Sequence, residues 1–379
     1  MARIRLLQTS DVHLRQDRPE RRRALSLVFE LARSRSVDAV LLCGDLFDRA
    51  SDAVGQRAFV RQLVESIAPR PVVLLPGNHD AECYGADTDY GANAVVLTGT
   101  PSARASICGV DVVGIPYQHG RTVAECLTGI ASDPRHTILM AHATIMDGVA
   151  GAFPGEGEGG AYMPIFLSDV LKRCCYAALG HLHSGGNLIH RDGERLVAYA
   201  GSAVSTSRHE TGPRGVLLVD FEPSAGVLAH EQVRIPTPYY ERVEVLCQPG
   251  EEAAAIERLA REAVAKKKPG ARVLAKLGGL SLATEADLRE SAERALTRAF
   301  AGATAPAPTA TPTDPDDPDA SVPILELEVA SYPSLAETPI IGEFVERLGT
   351  CAQAEGIEDP AVLQAALRLG LEAFLESLP

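Results

Sequence analysis

The chain has 379 residues, eight cysteines and a formal net charge of −14 at pH 7. A chain of this length exceeds one typical hydrophobic core, so we expect two domains and a tail. No apolar run approaches the roughly 18 residues of a membrane span and no apolar stretch follows a basic start, so the sequence predicts neither a transmembrane nor a secreted protein. The cysteines include no CxxC pair, which indicates reduced thiols and a cytoplasmic location.

Short apolar runs rich in β-branched residues predict five buried strands, and each run ends at side chains that can bind a metal ion. The runs are, in chain order, IRLLQTS, VDAVLLC, PVVLL, HTILM and YAALG. The side chains that follow them are Asp11 and His13, Asp45, Asn78 and His79, His142, and His181 and His183. Because open α/β sheets bind ligands beyond the carboxyl ends of their strands, we expect these side chains to meet at one site.

The segments between the first three strands predict crossover helices. Residues 19–35 open with a proline and carry apolar residues at helical intervals, and residues 52–67 repeat this pattern. Asp45 follows Asp11 by 34 residues, and Asn78 follows Asp45 by 33 residues. These steps match a unit of strand, helix and parallel strand, which takes roughly 30 residues or more. Two such units would bring the three side chains next to one another.

The donor atoms indicate the kind of ion. Carboxylate oxygens, an amide oxygen and imidazole nitrogens, without a thiolate, suit a divalent ion such as manganese, iron or zinc. Seven ligands are too many for one ion. If Asp45 bridges two ions, one site can be completed by Asp11, His13 and His183, and the other by Asn78, His142 and His181. Such a pair of ions, roughly 3.5–4 Å apart, is typical of phosphatases and nucleases.

His79 lies beside the ligand Asn78 and is left without a metal to bind. We expect it to protonate the leaving oxygen or, as a cation, to stabilise the charge that develops on the phosphate. Taken singly, each of these motifs is weak, since a His-x-His pair or a Gly-Asp turn occurs in many proteins without a metal. Their joint occurrence after successive strands is what favours a metal site.

The negative charge is concentrated in the carboxyl-terminal part of the chain. Residues 1–235 hold 23 Lys and Arg against 26 Asp and Glu, a net of −3, whereas residues 236–379 hold 13 against 24, a net of −11. Two divalent ions would make the amino-terminal part slightly positive, which is compatible with a polyanionic substrate. A group of arginines there predicts either a track for phosphates or a solvated helix face: Arg15, Arg18, Arg21, Arg22 and Arg23.

After residue 235 the pattern predicts a smaller α/β domain over residues 236–330. It contains the strand-like runs RVEVLC, ARVLAKL and PILELEV, with helices near residues 251–268 and 284–300. Residues near 302–322 are rich in Pro, Ala, Thr and Asp, which indicates a disordered insertion.

Residues 331–379 predict a helical tail. Residues 359–378 repeat apolar side chains at helical spacing, and with the preceding IIGEFVERL they predict a helical hairpin with an apolar stripe. The stripe can dock either on the chain's own second domain or on a partner protein.

The motifs TSDVHL, GDLFD, GNHD, LMAHA and GHLH together resemble those of the calcineurin-like metallophosphoesterase superfamily. Within it the chain is most similar to the SbcD-type nucleases, because the segments GAFPGEGEGGAYMP before GHLH and YAGSAVSTSRHETGPRGVLLVDFE after it look like their counterparts in these enzymes. The resemblance implies a metallophosphoesterase β-sandwich flanked by helices over residues 1–235, followed by a small α/β capping domain and a C-terminal helical tail.

The resemblance also implies roles for individual residues. The ligands of two manganese ions would be Asp11, His13, Asp45, Asn78, His142, His181 and His183, and His79 would be the catalytic histidine. Asp48 ends the GDLFD motif, where some members have a histidine. It is therefore a second candidate for the catalytic machinery, either directly or by supporting the ligands.

For function, the resemblance implies a metal-dependent DNA exonuclease or endonuclease of double-strand-break repair. Its C-terminal helices would grip the coiled coil of an SbcC-like ABC-type ATPase, and a homodimer is compatible with it. The nearest alternative is a phosphatase or small-molecule phosphodiesterase on the same scaffold; GNHD in place of the GNHE of protein Ser/Thr phosphatases, the cap and the tail argue against a phosphatase. The complete ligand set argues against a catalytically inactive scaffold.

Overall fold

The computed structural model describes residues 3–85, 87–130, 132–147, 162–184, 188–281, 283–303, 323–331 and 339–357, and positions 362, 366, 369 and 370. The chain divides into two compact units, Met1–Tyr240 and Glu241–Pro379. Among the described residues, no helix has both the length and the apolar character needed to cross a membrane.

The first unit contains twelve strands and four helices within its described residues. Its strands are β1 (Ile4–Thr9), β2 (Ala39–Cys43), β3 (Val72–Leu75), β4 (Ala94–Val96), β5 (Ala103–Ile107), β6 (Val110–Ile115), β7 (Thr137–His142), β8 (Tyr176–Gly180), β9 (Leu188–Asp192), β10 (Arg195–Tyr199), β11 (Gly215–Glu222) and β12 (Gly226–Arg234). Its helices are α1 (Pro19–Ser34), α2 (Ala50–Glu65), α3 (Val123–Cys126) and α4 (Leu167–Leu171), with 3-10 turns at Ala81–Cys83 and Pro134–His136.

The strands form two six-stranded sheets, in the orders β12-β11-β1-β2-β3-β4 and β5-β6-β7-β8-β10-β9. In the first sheet β1 to β4 are parallel, and β11 and β12 continue the sheet beyond β1 as antiparallel strands. In the second sheet β6, β7, β8 and β10 are parallel. Parallel neighbours point their carboxyl ends to the same edge, so each sheet has one edge where several strands end together.

Successive residues of a central strand pack into different cores. In β2, Val40 and Leu42 pack with the apolar sides of α1 and α2, whereas Leu41 packs with the second sheet. The helix α1 contributes Val28 and Phe29 to the first of these cores, where each such side chain stabilises the fold by about 1.5–3 kcal/mol. A third core joins the other face of the second sheet to α3 and α4. The first unit is therefore a two-sheet sandwich flanked by helices.

This architecture confirms the mixed α/β fold that the sequence predicts, with two multi-strand sheets flanked by helices. The five predicted strands correspond to β1, β2, β3, β7 and β8, and the two predicted crossover helices correspond to α1 and α2. The helix α2 begins at Ala50, slightly before its predicted start. His142 is the last residue of β7 itself rather than the first residue after it.

The second unit is built on a three-stranded sheet in the order β13-β14-β15, whose strands are Tyr239–Cys247, Ala271–Ser281 and Ile324–Ser331. Two helices, α5 (Glu252–Ala265) and α6 (Glu285–Gly302), share a core with this sheet through Leu259, Leu277 and Leu296. A further helix, α7, spans Pro339–Ala354. The predicted insertion near 302–322 and most of the predicted last helix lie outside the described residues.

Candidate metal centre

The carboxyl ends of strands from both sheets carry the predicted ligands. In the first sheet Asp11 and His13 follow β1, Asp45 follows β2 and Asn78 follows β3; in the second sheet His142 ends β7, and His181 and His183 follow β8. Across the described residues, donor atoms lie close enough to hold an ion in three groups: Asp11 with His13 and His183, Asp11 with Asp45 and His142, and His13 with Asp48 and His79. Because the groups share Asp11 and His13, they form one cluster.

One part of this cluster, here called site A, consists of Asp11, His13, His183 and Asp45. The Nε2 atoms of His13 and His183 lie 3.2 Å apart. Asp11 Oδ1 is 3.9 Å from Nε2 of His183, and Asp45 Oδ2 is 3.7 Å from Nε2 of His13. The four side chains therefore place their donor atoms around one small space.

The other part, site B, consists of Asn78, His142, His181 and again Asp45. Nε2 of His142 lies 3.2 Å from Asp45 Oδ2 and 3.0 Å from Asn78 Oδ1. The ring of His181 packs edge to face on the ring of His142, with ring centroids 5.3 Å apart. Asp45 Oδ2 thus lies close to donors of both sites, which is where a bridging carboxylate has to be.

The spacing of the donors fits divalent ions. Two donors about 2.1 Å from one ion and about 90° apart lie about 3 Å from each other. The nearest donor pairs match this value, at 3.2 Å for His13 with His183, 3.2 Å for His142 with Asp45 and 3.0 Å for His142 with Asn78.

The charge at the centre of the cluster also fits a cation. Burial alone would raise the pKa of Asp45, but the charge of His142 and the hydrogen bonds from His142 and the backbone of His79 outweigh burial and lower that pKa. Burial alone would lower the pKa of His142, but the Asp45 carboxylate raises it to about 10. The buried Asp45 carboxylate thus stabilises a positive charge on the neighbouring imidazole. The same carboxylate can stabilise the positive charge of a metal ion.

The other buried imidazoles are held neutral. Burial lowers the pKa of His13 below its usual value. Burial, together with the charge of His142, lowers the pKa of His181 to about 4. A neutral imidazole has a lone pair available for a metal ion, so both rings suit a ligand's role.

Hydrogen bonds at Nδ1 orient two of the rings. Nδ1 of His142 donates to the carbonyl oxygen of Cys43 at 2.9 Å. Nδ1 of His183 lies 2.8 Å from Glu210 Oε1 and 2.9 Å from Thr206 Oγ1. Because these oxygens accept the Nδ1 hydrogen, Nε2 is the nitrogen of each ring that faces the cluster, as in most metal-binding histidines.

The backbone is strained at four of the predicted ligands. The angle φ is 53° at Asp11, 48° at His13, 50° at Asp45 and 107° at His181. Left-handed conformations cost residues with a Cβ of order 1–3 kcal/mol each, and they concentrate at functional sites. Hydrogen bonds between the loops after β1 and β2 hold the strained backbone in place, including His13 N to the carbonyl oxygen of Asp45 at 2.9 Å.

Two glycines allow the sheets to approach each other at this edge. A Cβ on Gly180 would lie 1.8 Å from the carbonyl oxygen of Cys43. A Cβ on Gly44, where φ is 93°, would lie 2.1 Å from Nδ1 of His142. Neither position has room for a side chain, so the glycines of the GHLH and GDLFD motifs let the ends of β8 and β2 meet.

His79 lies at the exposed rim of the cluster. Its Nδ1 donates to the carbonyl oxygen of Asp48 at 3.1 Å, and its ring packs edge to face on His13, with ring centroids 4.7 Å apart. The Asp48 carboxylate lies 3.3 Å from Nδ1 of His13 and 3.5 Å from Nη1 of Arg21. Burial alone would raise the pKa of Asp48, but His13 and the nearby arginines lower it to about 2. Asp48 therefore contacts His13 through its anionic carboxylate and His79 through its backbone carbonyl oxygen.

Sequence reasoning missed Asp80, the last residue of the GNHD motif. Its buried carboxylate accepts hydrogen bonds from the backbone N–H of Leu46 at 2.8 Å, the backbone N–H of Gly77 at 2.7 Å and the hydroxyl of Tyr84 at 2.9 Å. One side chain thereby ties the loop that carries Asp45 to the loop that carries Asn78. The sequence feature that indicates a role for Asp80 is its place inside the GNHD motif.

The arginine group near the first ligands is only partly a surface feature. Arg21 is buried and donates to the backbone carbonyl oxygens of His13 at 2.6 Å and Thr206 at 3.3 Å. Arg18, Arg22 and Arg23 are exposed. Arg21 therefore supports the backbone of site A, a role that its position in a charged run concealed.

The sequence matches the calcineurin-like phosphoesterase family over residues 4–148. Over 263 residues the chain is 33% identical to SbcD, a component of the SbcCD nuclease, from Escherichia coli strain K12, and it matches SbcD from Escherichia coli O157:H7 equally well. Each match covers 58% of this chain and 65% of the relative, so the chain spans just under two thirds of the length of these relatives.

Two solved structures also match. One is a dimetal phosphatase from Danio rerio, with 9% identity, 57% of this chain and 92% of that chain covered, and a TM-score of 0.34. The other is the purple acid phosphatase PPD1 from yellow lupin, Lupinus luteus, with 15% identity, 62% and 54% covered, and a TM-score of 0.36. Scores this low add nothing about activity. The sequence matches, in contrast, identify a calcineurin-like phosphoesterase domain at residues 4–148 and show that the chain is similar to the SbcD component of the SbcCD nuclease.

Proposed function

We propose that this chain is a metal-dependent DNA nuclease that hydrolyses phosphodiester bonds with two divalent ions, preferably Mn²⁺, bound at sites A and B. The observation that carries the proposal is the position of Asp45 Oδ2, which lies 3.2 Å from Nε2 of His142 and 3.7 Å from Nε2 of His13. One carboxylate near both groups of donors is what a pair of ions requires. The choice of DNA rests on the 33% identity to SbcD.

Each residue of the cluster has a role in this proposal. When bound, the two ions would supply hydroxide near neutral pH and offset the negative charge of the phosphate. Asp11, His13 and His183 would hold one ion, Asn78, His142 and His181 would hold the other, and Asp45 would be shared between them. The Nδ1 hydrogen of His79 is committed to the carbonyl oxygen of Asp48, so Nε2 is the nitrogen that can give a proton to the leaving oxygen. Asp48 acts as a positioning residue, because its contacts are to His13 and His79.

The substrate class can be tested directly. In Mn²⁺ and at low salt, the purified protein should cleave duplex or single-stranded DNA, and a chelator should abolish cleavage. The rate should fall steeply as salt rises, because each contact with a DNA phosphate releases counterions on binding. Phosphomonoesters should be poor substrates. The measurement is the cleavage of a labelled oligonucleotide across a salt series, with phosphate release from a phosphopeptide measured in parallel.

A small phosphodiester reporter serves as the control for the salt series. It makes few phosphate contacts, so its hydrolysis should depend only weakly on salt. Efficient phosphate release from the phosphopeptide, with no detectable cleavage of DNA, would show that the protein is a phosphatase on the same scaffold and not a nuclease.

We further propose that the C-terminal helices bind an SbcC-like coiled-coil ATPase. The ring of Phe344 in α7 lies so close to Gly370 that an added Cβ there would be 2.0 Å from Cζ. This contact supports the predicted helical hairpin. Val362 and Leu369 are exposed, at 46% and 60%. Burial of such apolar surface on a partner contributes about 25 cal/mol per Å², less the cost of association.

Deletion of residues 340–379 should separate this docking from catalysis. Metal-dependent cleavage of short DNA should persist, since no proposed ligand lies in the deleted segment. Co-purification with a co-expressed SbcC-like ATPase, and ATP-dependent processing of blocked ends, should be lost. The measurements are affinity co-purification and a nuclease assay on blocked and free ends.

Substitutions within the tail provide a matched pair of variants. Leu371→Glu with Phe374→Glu should reproduce the loss of the ATPase, because a charge on the apolar stripe cannot be solvated in an interface. Gln364→Glu, on the polar side of the same predicted helix, should retain the ATPase. If the truncated protein precipitates or loses its metals, the helices belong to the chain's own core and the docking proposal fails.

A further inference from the structure

Residues of the segment 202–214 contact His183 at its ring and at its backbone. Glu210 is 6% exposed, and its Oε1 lies 2.8 Å from Nδ1 of His183. The hydroxyl oxygen of Thr206 lies 2.9 Å from the same Nδ1, and Thr206 donates to Glu210 through both its hydroxyl and its backbone N–H. The ring of His183 is thus held by a carboxylate that is itself hydrogen-bonded.

The same segment also fixes the backbone of His183. Its carbonyl oxygen accepts hydrogen bonds from Nη1 of Arg214 at 2.8 Å and from the backbone N–H of Ser202 at 3.0 Å. The Arg214 guanidinium is buried and also lies 3.8 Å from Glu210 Oε2. His183 is therefore held at its ring and at its backbone by one connected group of residues.

Sites A and B differ in the groups that lie next to Nδ1 of their imidazoles. In site A the carboxylate of Glu210 lies behind His183, and the carboxylate of Asp48 lies 3.3 Å from Nδ1 of His13. In site B the Nδ1 of His142 donates to a neutral backbone carbonyl, that of Cys43. A carboxylate behind a metal-binding imidazole fixes its orientation and makes it a stronger ligand than a carbonyl does.

We propose that the two metal sites are unequal, and that Glu210 is the positioning residue that makes site A the tighter one. This inference rests on the proposed two-metal function and deepens it. Site A retains its ion under conditions in which site B exchanges its ion. Asp11 adds to the difference, because it gives site A a second carboxylate ligand besides the shared Asp45.

A titration of the metal-free protein with Mn²⁺ tests this inequality. Isothermal calorimetry should resolve a tight and a weak binding step in the wild-type chain. Glu210→Gln keeps the shape of the side chain but removes its charge, so it should weaken the tight step by about 10–100-fold and leave the weak step unchanged. His142→Ala should remove the weak step and leave the tight one. Electron paramagnetic resonance should show isolated Mn²⁺ in His142→Ala and exchange-coupled Mn²⁺ in the fully loaded wild type.

Asp133→Asn is the matched control. Asp133 Oδ2 lies 2.8 Å from Nδ1 of His136, the same distance as in the Glu210 pair, but neither residue belongs to the metal cluster. This variant should leave both binding steps unchanged. The melting curve of the metal-free protein shows whether Glu210→Gln folds. If it does not fold, Thr206→Val provides a second variant. Thr206→Val removes one hydrogen bond at Nδ1 of His183 and should also weaken the tight binding step.

The outcomes separate this inference from the proposed function. Two ions that bind with equal affinity, or a tight step that survives Glu210→Gln and Thr206→Val unchanged, would overturn the inequality and leave the nuclease proposal standing. A wild-type chain that binds no Mn²⁺ would overturn both.

Discussion

Replacing Asp45 with alanine is expected to abolish phosphodiester cleavage and to remove most of the bound metal. Asp45 is 2% exposed and lies close to donors of both sites. Its removal leaves site B with neutral donors alone and site A with Asp11 as its sole carboxylate ligand, so neither site can offset the charge of a divalent ion as before. The rate of cleavage of a phosphodiester reporter in Mn²⁺ should fall to background, and the metal content after dialysis should fall far below that of the wild type.

A carboxylate on the same sheet provides the control for Asp45→Ala. Asp220 in β11 pairs with Arg3 and Arg5 and is no part of the metal cluster. Asp220→Ala should therefore retain both ions and the wild-type rate. Full occupancy by Mn²⁺ in Asp45→Ala would contradict the assignment of Asp45 as the shared ligand.

Replacing His79 with alanine should separate metal binding from chemistry. The ring of His79 is exposed and donates to the carbonyl oxygen of Asp48, so we expect its loss to leave the fold and both ions in place. Cleavage of DNA should slow by about 10²–10⁴-fold, the usual contribution of a positioned acid or base. The measurements are metal content and the rate of cleavage at saturating Mn²⁺.

Substrates with different leaving groups distinguish the two roles proposed for His79, proton donor and stabiliser of charge on the phosphate. If His79 protonates the leaving oxygen, a reporter with an acidic leaving group should lose far less rate than DNA in His79→Ala, because such a group departs without a proton. An equal loss for both substrates would indicate that His79 stabilises charge on the phosphate instead. His136→Ala, at a histidine outside the metal cluster, should leave both rates unchanged. Undiminished cleavage of DNA in His79→Ala would mean that another residue is the acid.

Local sequence patterns were sufficient to predict the strands of the first unit that carry the candidate ligands. Hydrophobic periodicity identified β1, β2 and β3 with the helices between them, because alternation and helical spacing depend on neighbours along the chain. The same patterns placed every candidate ligand at a strand end. The sequence thus determined which residue types reach the carboxyl edge of a sheet, and their donor atoms indicated divalent ions.

The tertiary structure decided how these residues combine. The candidate ligands come from two sheets, and the sheets meet because Gly180 and Gly44 leave no side chain between them. No periodicity along the chain shows this contact, since it joins residues that are far apart in the sequence. The supporting residues were hidden for the same reason. Arg21 reads as a surface charge, and Glu210 as a loop residue, until folding buries them against His13 and His183. A buried charge has to be paired with whatever group the fold places beside it, and that group is fixed by packing in three dimensions.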